Sequence, residues 1–444
     1  MVFWRNSLTD FSSARPAFLQ GKSTPRAYLD RCIEAIDRRE KDVRAFVTLD
    51  LPAARKAADE ATARYRAGKP RSMLDGCPVG IKDMINTKDL PTQMNSPLYK
   101  GWQAPVDAAC VQALRSAGAI ILGKTVTTEF ACGHTNAARN PHDPARTPGG
   151  SSSGSGASVG GGMIPVALGT QTRGSLLRPA AYCGAYALKP TLHVIHTGGV
   201  HPLSPTFDHV GIIAASLADA WHTTQVCSSV PGGYSGHRPL PLEVPAARKP
   251  KAVGWLAFKE FDKAGRGTQA GANAILEGLA RAGVTIVRRE NSPAFAELED
   301  DIAAMIDGES LELLGYEMAW PFLSYPRAQL DARIHDLIDT GAKVDEARYH
   351  LLLANRNALR ARVAGWADTI DVFLSLGSTG PAPVGHATTG SRHYQVPWTF
   401  LGLPSMSLPL LAEGSLPAGF QVMGFANRDP EMVAAAAWVE TLAR

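Results

Sequence analysis

The stretch from Thr147 to Thr191, TPGGSSSGSGASVGGGMIPVALGTQTRGSLLRPAAYCGAYALKPT, limits what this chain can fold into more than any other. Its first third is almost entirely glycine and serine, which lose much backbone freedom on ordering and offer little side chain to pack in return. On composition alone that describes a flexible linker. A linker joins finished units and lacks apolar content. Here the run passes directly into Met163–Leu168, which reads as a buried strand, and then into a second glycine turn carrying Ser175. The run is therefore expected to be ordered, with Ser151 and Ser175 each placed where glycines let the backbone turn sharply.

Two chemical readings of the bare stretch fail on their context. A phosphate cradle needs a lysine after the last glycine or a complete GxGxxG, and neither is present. Gly150–Gly154 matches GxSxG with Ser152 at its centre, the pattern of a nucleophile elbow, but an elbow follows a strand. The residues before this one read ARNPHDPARTPGG, which does not read as a strand.

Composition narrows the class. At 444 residues with 45% hydrophobic and 19% charged content, the chain is globular. Its net charge of +4 is not gathered into a Lys/Arg block, and no nucleic-acid partner is expected. No apolar run reaches membrane-spanning length, and the start, MVFWRNSLTDFSS, lacks the features of a signal peptide. The six cysteines form no CxxC pair, which fits reduced thiols in a cytoplasmic protein. HExxH is absent, and His193 and His196 keep no carboxylate or third ligand nearby, so they read as ordinary histidines. No metal and no cofactor is expected.

Thr24 and Pro25 open a helix over 25–38. A short strand at 45–49 and an alanine-rich helix at 53–67 follow. Val79–Ile81 is a short buried strand leading to Lys82, which is either a surface lysine at a strand terminus or a buried one with a purpose. Next come a helix over 108–117, a strand at 119–122 and a loop at 129–140. Ser216 caps a helix to about Cys227, and Gly232–Pro250 reads as a surface connection. Strand 251–256, helix 269–282 and strand 284–287 form a βαβ unit with parallel pairing. Residues 296–366 are mostly helical, 372–376 and 419–424 are strands, and 430–442 is a closing helix.

Taken together, Lys82, Ser151 and Ser175 carry a resemblance. Gly149–Gly154, the apolar segment, Gly169–Ser175 (GTQTRGS) and Arg178–Thr191 (RPAAYCGAYALKPT) are similar to successive parts of the amidase signature. Pro78–Asp83 (PVGIKD) resembles the segment that holds the family's lysine, and the spacing from Ser151 to Ser175 is similar too. Further echoes at Ala45–Leu49, Ala117–Thr125, Leu203–Gly211 and Leu416–Gly424 spread the likeness over nearly the whole chain.

The resemblance implies an α/β fold: one compact domain over 1–444 with a mixed, twisted central sheet covered by helices. Its core motif region would be 76–220 and its variable pocket region about 232–370. It implies Ser175 as nucleophile, Ser151 as a bridging serine after a cis peptide at Gly150, and Lys82 as base. The backbone N–H groups of Thr172, Arg173, Gly174 and Ser175 would form the oxyanion hole, with Gly150 and Ser152 supporting. The chemistry is coherent. A serine hydroxyl needs a neighbour to take its proton, and a neutral lysine can take it through Ser151. The lysine pKa must then fall from about 10.4 to near 7, which burial beside Val79 and Ile81 can achieve. This reverses the surface reading of Lys82.

Three departures bear on substrate choice. Gln171 stands where many members have aspartate, Arg173 where glycine is usual, and Leu177 where many have arginine, with Arg178 following as in the malonamidase-like branch. Arg173 either points away from the reacting carbonyl or shapes the pocket mouth for anionic or carbonyl-rich substrates. Asp208 either orients the glycine loops or closes an Asx turn. Cys183 has no base beside it and is expected to be buried. The expected reaction is hydrolysis of a small amide, or of a related carbamate, urethane, anilide or urea, by a monomer or homodimer. Few charged anchors are evident in 232–366, so an apolar amide, anilide or carbamate is the first expectation. The rivals are a glutamine-hydrolysing subunit of a tRNA-dependent amidotransferase, which needs partner chains, a GxSxG esterase using Ser152, and a binding protein that kept the fold.

Overall fold

The computed structural model describes residue 3 and residues 10–230 and 239–443; part of the expected Gly232–Pro250 connection lies outside the described residues. Runs such as PVGIK and VALGTQ are too apolar to show either face to water, so their strands must be covered on both sides. Eleven strands form one sheet: β1 (Phe46–Leu49), β2 (Pro78–Lys82), β3 (Ile120–Thr125), β4 (Val166–Gln171), β5 (Tyr186–Lys189), β6 (His209–Ala214), β7 (Ala252–Trp255), β8 (Thr285–Val287), β9 (Val372–Leu376), β10 (Ser405–Glu413) and β11 (Leu416–Met423). Their order across it is β1-β3-β2-β4-β6-β5-β10-β11-β9-β7-β8. β2 runs parallel to β3 and β4, and β7 parallel to β8 and β9, while the other neighbours are antiparallel. The mixed sheet expected from the resemblance is present, and β2 to β6 are buried along their whole length.

The covering helices are α1 (Phe11–Leu19), α2 (Pro25–Val43), α3 (Leu51–Arg66), α4 (Ala109–Ser116), α5 (Ser153–Gly160), α6 (Leu177–Cys183), α7 (Leu217–Ser228), α8 (Arg266–Arg281), α9 (Pro293–Ala304), α10 (Glu309–Leu323), α11 (Ala332–Gly341), α12 (Glu346–Ala364), α13 (Val396–Phe400) and α14 (Asp429–Glu440). The Thr24 side chain caps α2 through Ala27 N–H as expected, but the helix continues to Val43 and stops where Arg44 turns left-handed at φ 53°. Sequence reasoning missed α1. Its start is held by buried Asp219, which accepts the Phe11 and Ser12 N–H groups at 2.9 Å. The strand expected at Met163–Leu168 lies further along, at Val166–Gln171, after Pro165, which has no N–H to give a ladder. The loop expected at 129–140 contains one 3-10 turn, Glu129–Ala131. No described helix is long and apolar enough to cross a membrane.

The glycine–serine run is neither linker nor loop. Its sequence SGSGASVG is α5, and every residue of it is buried. Helix propensity does not account for that, since glycine is among the poorest helix formers. Close approach does. A Cβ on Gly154 would lie 2.1 Å from the Ala45 carbonyl oxygen, and one on Gly160 would lie 2.1 Å from that of Cys183. The hydroxyls find partners inside: Ser153 Oγ donates to Gly149 O at 2.7 Å and Ser155 Oγ to Leu168 O at 2.9 Å. Small residues thus let α5 press against its neighbours, and its N-terminus sets down Ser151 beside the ends of β2 and β4.

Candidate active site

Lys82 is the last residue of β2, and its side chain is completely buried. Its Nζ lies 2.7 Å from Ser151 Oγ and 2.6 Å from Thr170 Oγ1. Burial pulls its pKa down to about 7, with Asp208 acting weakly in the opposite direction. The adjacent Asp83 does not serve it; that carboxylate lies 3.6 Å from Lys124 Nζ. The sequence brings together β2, the turn before α5 and the end of β4, and the lysine meets two hydroxyls there.

The Gly150–Ser151 peptide is cis. The Ser151 carbonyl accepts N–H groups from Ser153 at 2.8 Å and Thr128 at 3.3 Å, which fixes the turn. Ser152 N–H donates to the Ser175 carbonyl at 3.0 Å, so the two serine turns are tied to each other through backbone. Ser152 Oγ sits 3.3 Å from both the N and the O of Thr170 and is fully buried. Its hydroxyl is a bracket between segments. Ser151 and Ser175, by contrast, both line a cavity of about 470 Å³.

The segment 172–175 links β4 to α6. Gly174 adopts φ +116°, a conformation that an L side chain rarely takes. Among the described residues, the backbone N–H groups of Arg173, Gly174 and Ser175 have no acceptor. Two side chains hold this segment. Thr172 Oγ1 donates to Asp208 Oδ1 at 2.8 Å, and Asp208 Oδ2 accepts the Leu203 and Ser204 N–H groups. Asp208 therefore both steadies the serine turn and closes a turn of its own. Gln171 Oε1 accepts the Leu176 and Leu177 N–H groups at 2.9 and 3.0 Å, while its Nε2 donates to Thr399 Oγ1 at 2.8 Å. The Thr399 hydroxyl already donates to the Gln395 carbonyl, so it needs a donor opposite, which an amide provides and a carboxylate does not.

Arg173, Arg178, Arg333 and Arg392 line the cavity together with Leu311, Leu314 and Met318 of α10. Two of these arginines flank the serine turn, Arg333 comes from α11, and Arg392 lies beyond the 232–366 segment in which few charged anchors are evident. Arg178 Nη2 donates to the Gly150 carbonyl and to Thr389 Oγ1, and its Nη1 to the Gly390 carbonyl. Arg173 turns toward α10, donating to the Ile306 carbonyl and to Ser310 Oγ. α10 and α11 wall the cavity. Beside it, His134 Nδ1 lies 3.3 Å from Glu129 Oε2 and 3.8 Å from Asp331 Oδ2, at the start of α11. Among the described residues this trio is also the group of side chains close enough to hold a cation; neither His193 nor His196 joins it. Cys183 is buried and unpaired with another cysteine.

Thr170 is the second partner of Lys82, a part that the GTQTRGS motif does not signal. Ser310 and Arg392 carry no sequence signal at all.

Known proteins share this fold. A crystal structure of an amidase superposes with a TM-score of 0.84 at 27% identity, over 98% of this chain and 100% of that one. Native peptide amidase from Stenotrophomonas maltophilia gives 0.78 at 26% identity, over 99% and 97%. A glutamyl-tRNA(Gln) amidotransferase subunit of Chloroflexus aggregans is 39% identical over 214 residues, which is 47% of this chain and 44% of that one. The chain spans about half or less of the length of the curated relatives it matches. A family model described as Amidase matches residues 27–433, a span that takes in both serine turns and all eleven strands of the sheet, and the chain therefore belongs to the amidase family.

Proposed function

We propose that the chain, acting as one domain over 1–444, is a serine amidohydrolase for the C–N bond of a small amide or a related carbamate, urethane, anilide or urea. The observation that carries this reading is the buried Lys82 amine 2.7 Å from Ser151 Oγ, with Ser151 and Ser175 lining one cavity. Ser175 Oγ attacks the carbonyl carbon as its proton passes to Ser151 and the Ser151 proton passes to neutral Lys82. The oxygen of the tetrahedral intermediate takes the N–H groups of residues 172–175, three of which lack an acceptor among the described residues. The C–N bond then breaks, the nitrogen leaves with a proton returned through Ser151, and water releases the acid from the Ser175 ester by the same relay. No step calls for a cofactor or metal. The protein is proposed to work in the cytoplasm as a monomer or homodimer.

The test is a panel of p-nitroanilides, carbamates and ureas with labelling by a fluorophosphonate. Turnover lost, and label absent, in Ser175→Ala is the expected result; wild-type turnover in that variant sinks the mechanism. A second reading has a specific observation behind it, since relatives at 39–43% identity are glutamyl-tRNA(Gln) amidotransferase subunits. Hydrolysis of glutamine alone, together with co-purification of a second chain, would favour it.

A further inference from the structure

Asp208 holds Thr172, the first residue of the turn into Ser175, and Ser204 in turn places Asp208. The Ser204 N–H donates to the Asp208 carboxylate at 2.9 Å, and its carbonyl accepts the Asp208 N–H at 2.9 Å. Ser204 is fully buried, and its hydroxyl leaves the segment to meet Glu317 of α10. The same carboxylate accepts the Thr206 N–H at 3.2 Å and the Thr206 hydroxyl. One side chain of α10 thus takes three donors from residues 204–206. A fourth donor, the Tyr349 hydroxyl of α12, reaches it at 3.1 Å. Hydrogen bonds to an ionised carboxylate are about twice as strong as neutral ones, and three of them on so short a segment fix both its place and its tilt. Glu317 precedes Met318 and lies three residues beyond Leu314, and both of these line the cavity, as does Leu203. α10 therefore presents apolar side chains to the substrate space and a carboxylate to the 203–208 turn.

We propose that Glu317 is a positioning residue for the hydrolysis. By gripping Ser204 and Thr206 it sets where Asp208 stands, and through Asp208 and Thr172 it aims the N–H groups of residues 173–175 at the developing oxyanion. Those N–H groups have no acceptor among the described residues, so nothing in their own bonding aims them. Gln171 secures the α6 side of the turn, and the Glu317 linkage secures the other. This rests on the hydrolase reading above and adds to it a residue from the 296–366 helices.

The experiment follows fluorophosphonate labelling of Ser175. Phosphonylation presents a charged oxygen to the same N–H groups, so its rate reads their placement while its end point counts competent sites. Glu317→Ala should slow labelling at least about tenfold and still reach the wild-type end point. On p-nitroacetanilide its kcat should fall in step, with KM changed by less than about threefold. Ser204→Ala should also slow labelling, and the double variant should lose less than the product of the two factors, since both act through one linkage. Tyr349→Phe, which removes only the donor outside the 203–208 turn, should label at the wild-type rate. Glu317→Gln keeps one acceptor oxygen in the same space and should fall between alanine and wild type. A wild-type rate in Glu317→Ala, or in Glu317→Gln should the alanine variant not fold, overturns the proposal. So does a loss confined to the end point, or an equal loss in Tyr349→Phe, either of which would mean that Glu317 only supports the fold. Absence of labelling at Ser175 in wild type sinks the hydrolase reading itself, whereas a labelled wild type with a wild-type rate in the Glu317 variants sinks the positioning role alone.

Discussion

Lys82 Nζ lies 2.7 Å from Ser151 Oγ and, among the described residues, meets only hydroxyls, the other being Thr170 Oγ1 at 2.6 Å. A buried amine whose hydrogen-bond partners are neutral has little to offset desolvation, and its pKa falls to about 7. Only the neutral amine can take a proton from Ser151. On an uncharged anilide, kcat/KM should therefore climb about tenfold per pH unit below pH 7 and level off above it. A pH–rate profile checks this, and a flat line from about pH 5.5 to 8 would contradict a lysine base.

The same shift has a stability consequence of known sign. The folded pKa of Lys82, about 7, lies below the unfolded value near 10.4, so between them the unfolded chain binds more protons. On account of this group, stability rises with pH through that window, and below pH 7 the charged lysine costs about 5 kcal/mol. Lys82→Met removes that cost and loses two hydrogen bonds worth about 1 kcal/mol each. The variant should be inactive yet more stable than wild type near pH 6.5, with the order reversing by about pH 10 as the lysine cost vanishes and the lost hydrogen bonds remain. Urea denaturation at the two pH values measures it.

The proposed triad was legible because its parts sit in short contiguous motifs whose order survives in the sequence. PVGIKD states both the strand and its lysine, and the signature segments around Ser151 and Ser175 state the turns. What was not legible depends on long-range packing. Nothing in local pattern says that Arg392 abuts Gly174, or that Arg173 reaches the start of α10. Propensity even points the wrong way for α5, because the glycines there answer to the Ala45 and Cys183 backbones and not to their own helix. The charge of the cavity was hidden for the same reason, since most of it arrives from outside 232–366.

Ser152 tests the elbow reading. Its hydroxyl is bracketed by the Thr170 backbone and does not line the cavity that Ser151 and Ser175 share. Ser152→Ala should cost about 1 kcal/mol in stability and keep most of the turnover. Comparing its kcat with that of Ser175→Ala decides which serine attacks; abolished turnover in Ser152→Ala at wild-type stability would restore the elbow.

Gln171 should prove a structural keystone of the serine turn. Replacing it with leucine strands the buried Leu176 and Leu177 N–H groups at the start of α6, while the Thr399 hydroxyl keeps its bond to the Gln395 carbonyl. Each buried orphan costs about 1–3 kcal/mol, so Gln171→Leu should lose at least about 2 kcal/mol by denaturant titration. Gln171→Glu keeps the two acceptor bonds and loses only the donor, and it should fall between the leucine variant and wild type.

Gly154 makes the sharpest contrast with general rules. In an ordinary helix, glycine to alanine stabilises by about 1 kcal/mol. Here the new methyl would sit 2.1 Å from the Ala45 carbonyl oxygen and 2.4 Å from the Val126 nitrogen, both backbone atoms that no rotamer change can move. Ser151 lies just before α5, so any shift of the helix to relieve that clash carries Ser151 away from Lys82. Gly154→Ala should thus destabilise by more than about 3 kcal/mol. Whatever folded fraction remains should show lowered kcat with Ser175 intact. A variant as stable as wild type, with kcat unchanged, would mean that α5 does not press on the 45–46 backbone as closely as the structure has it.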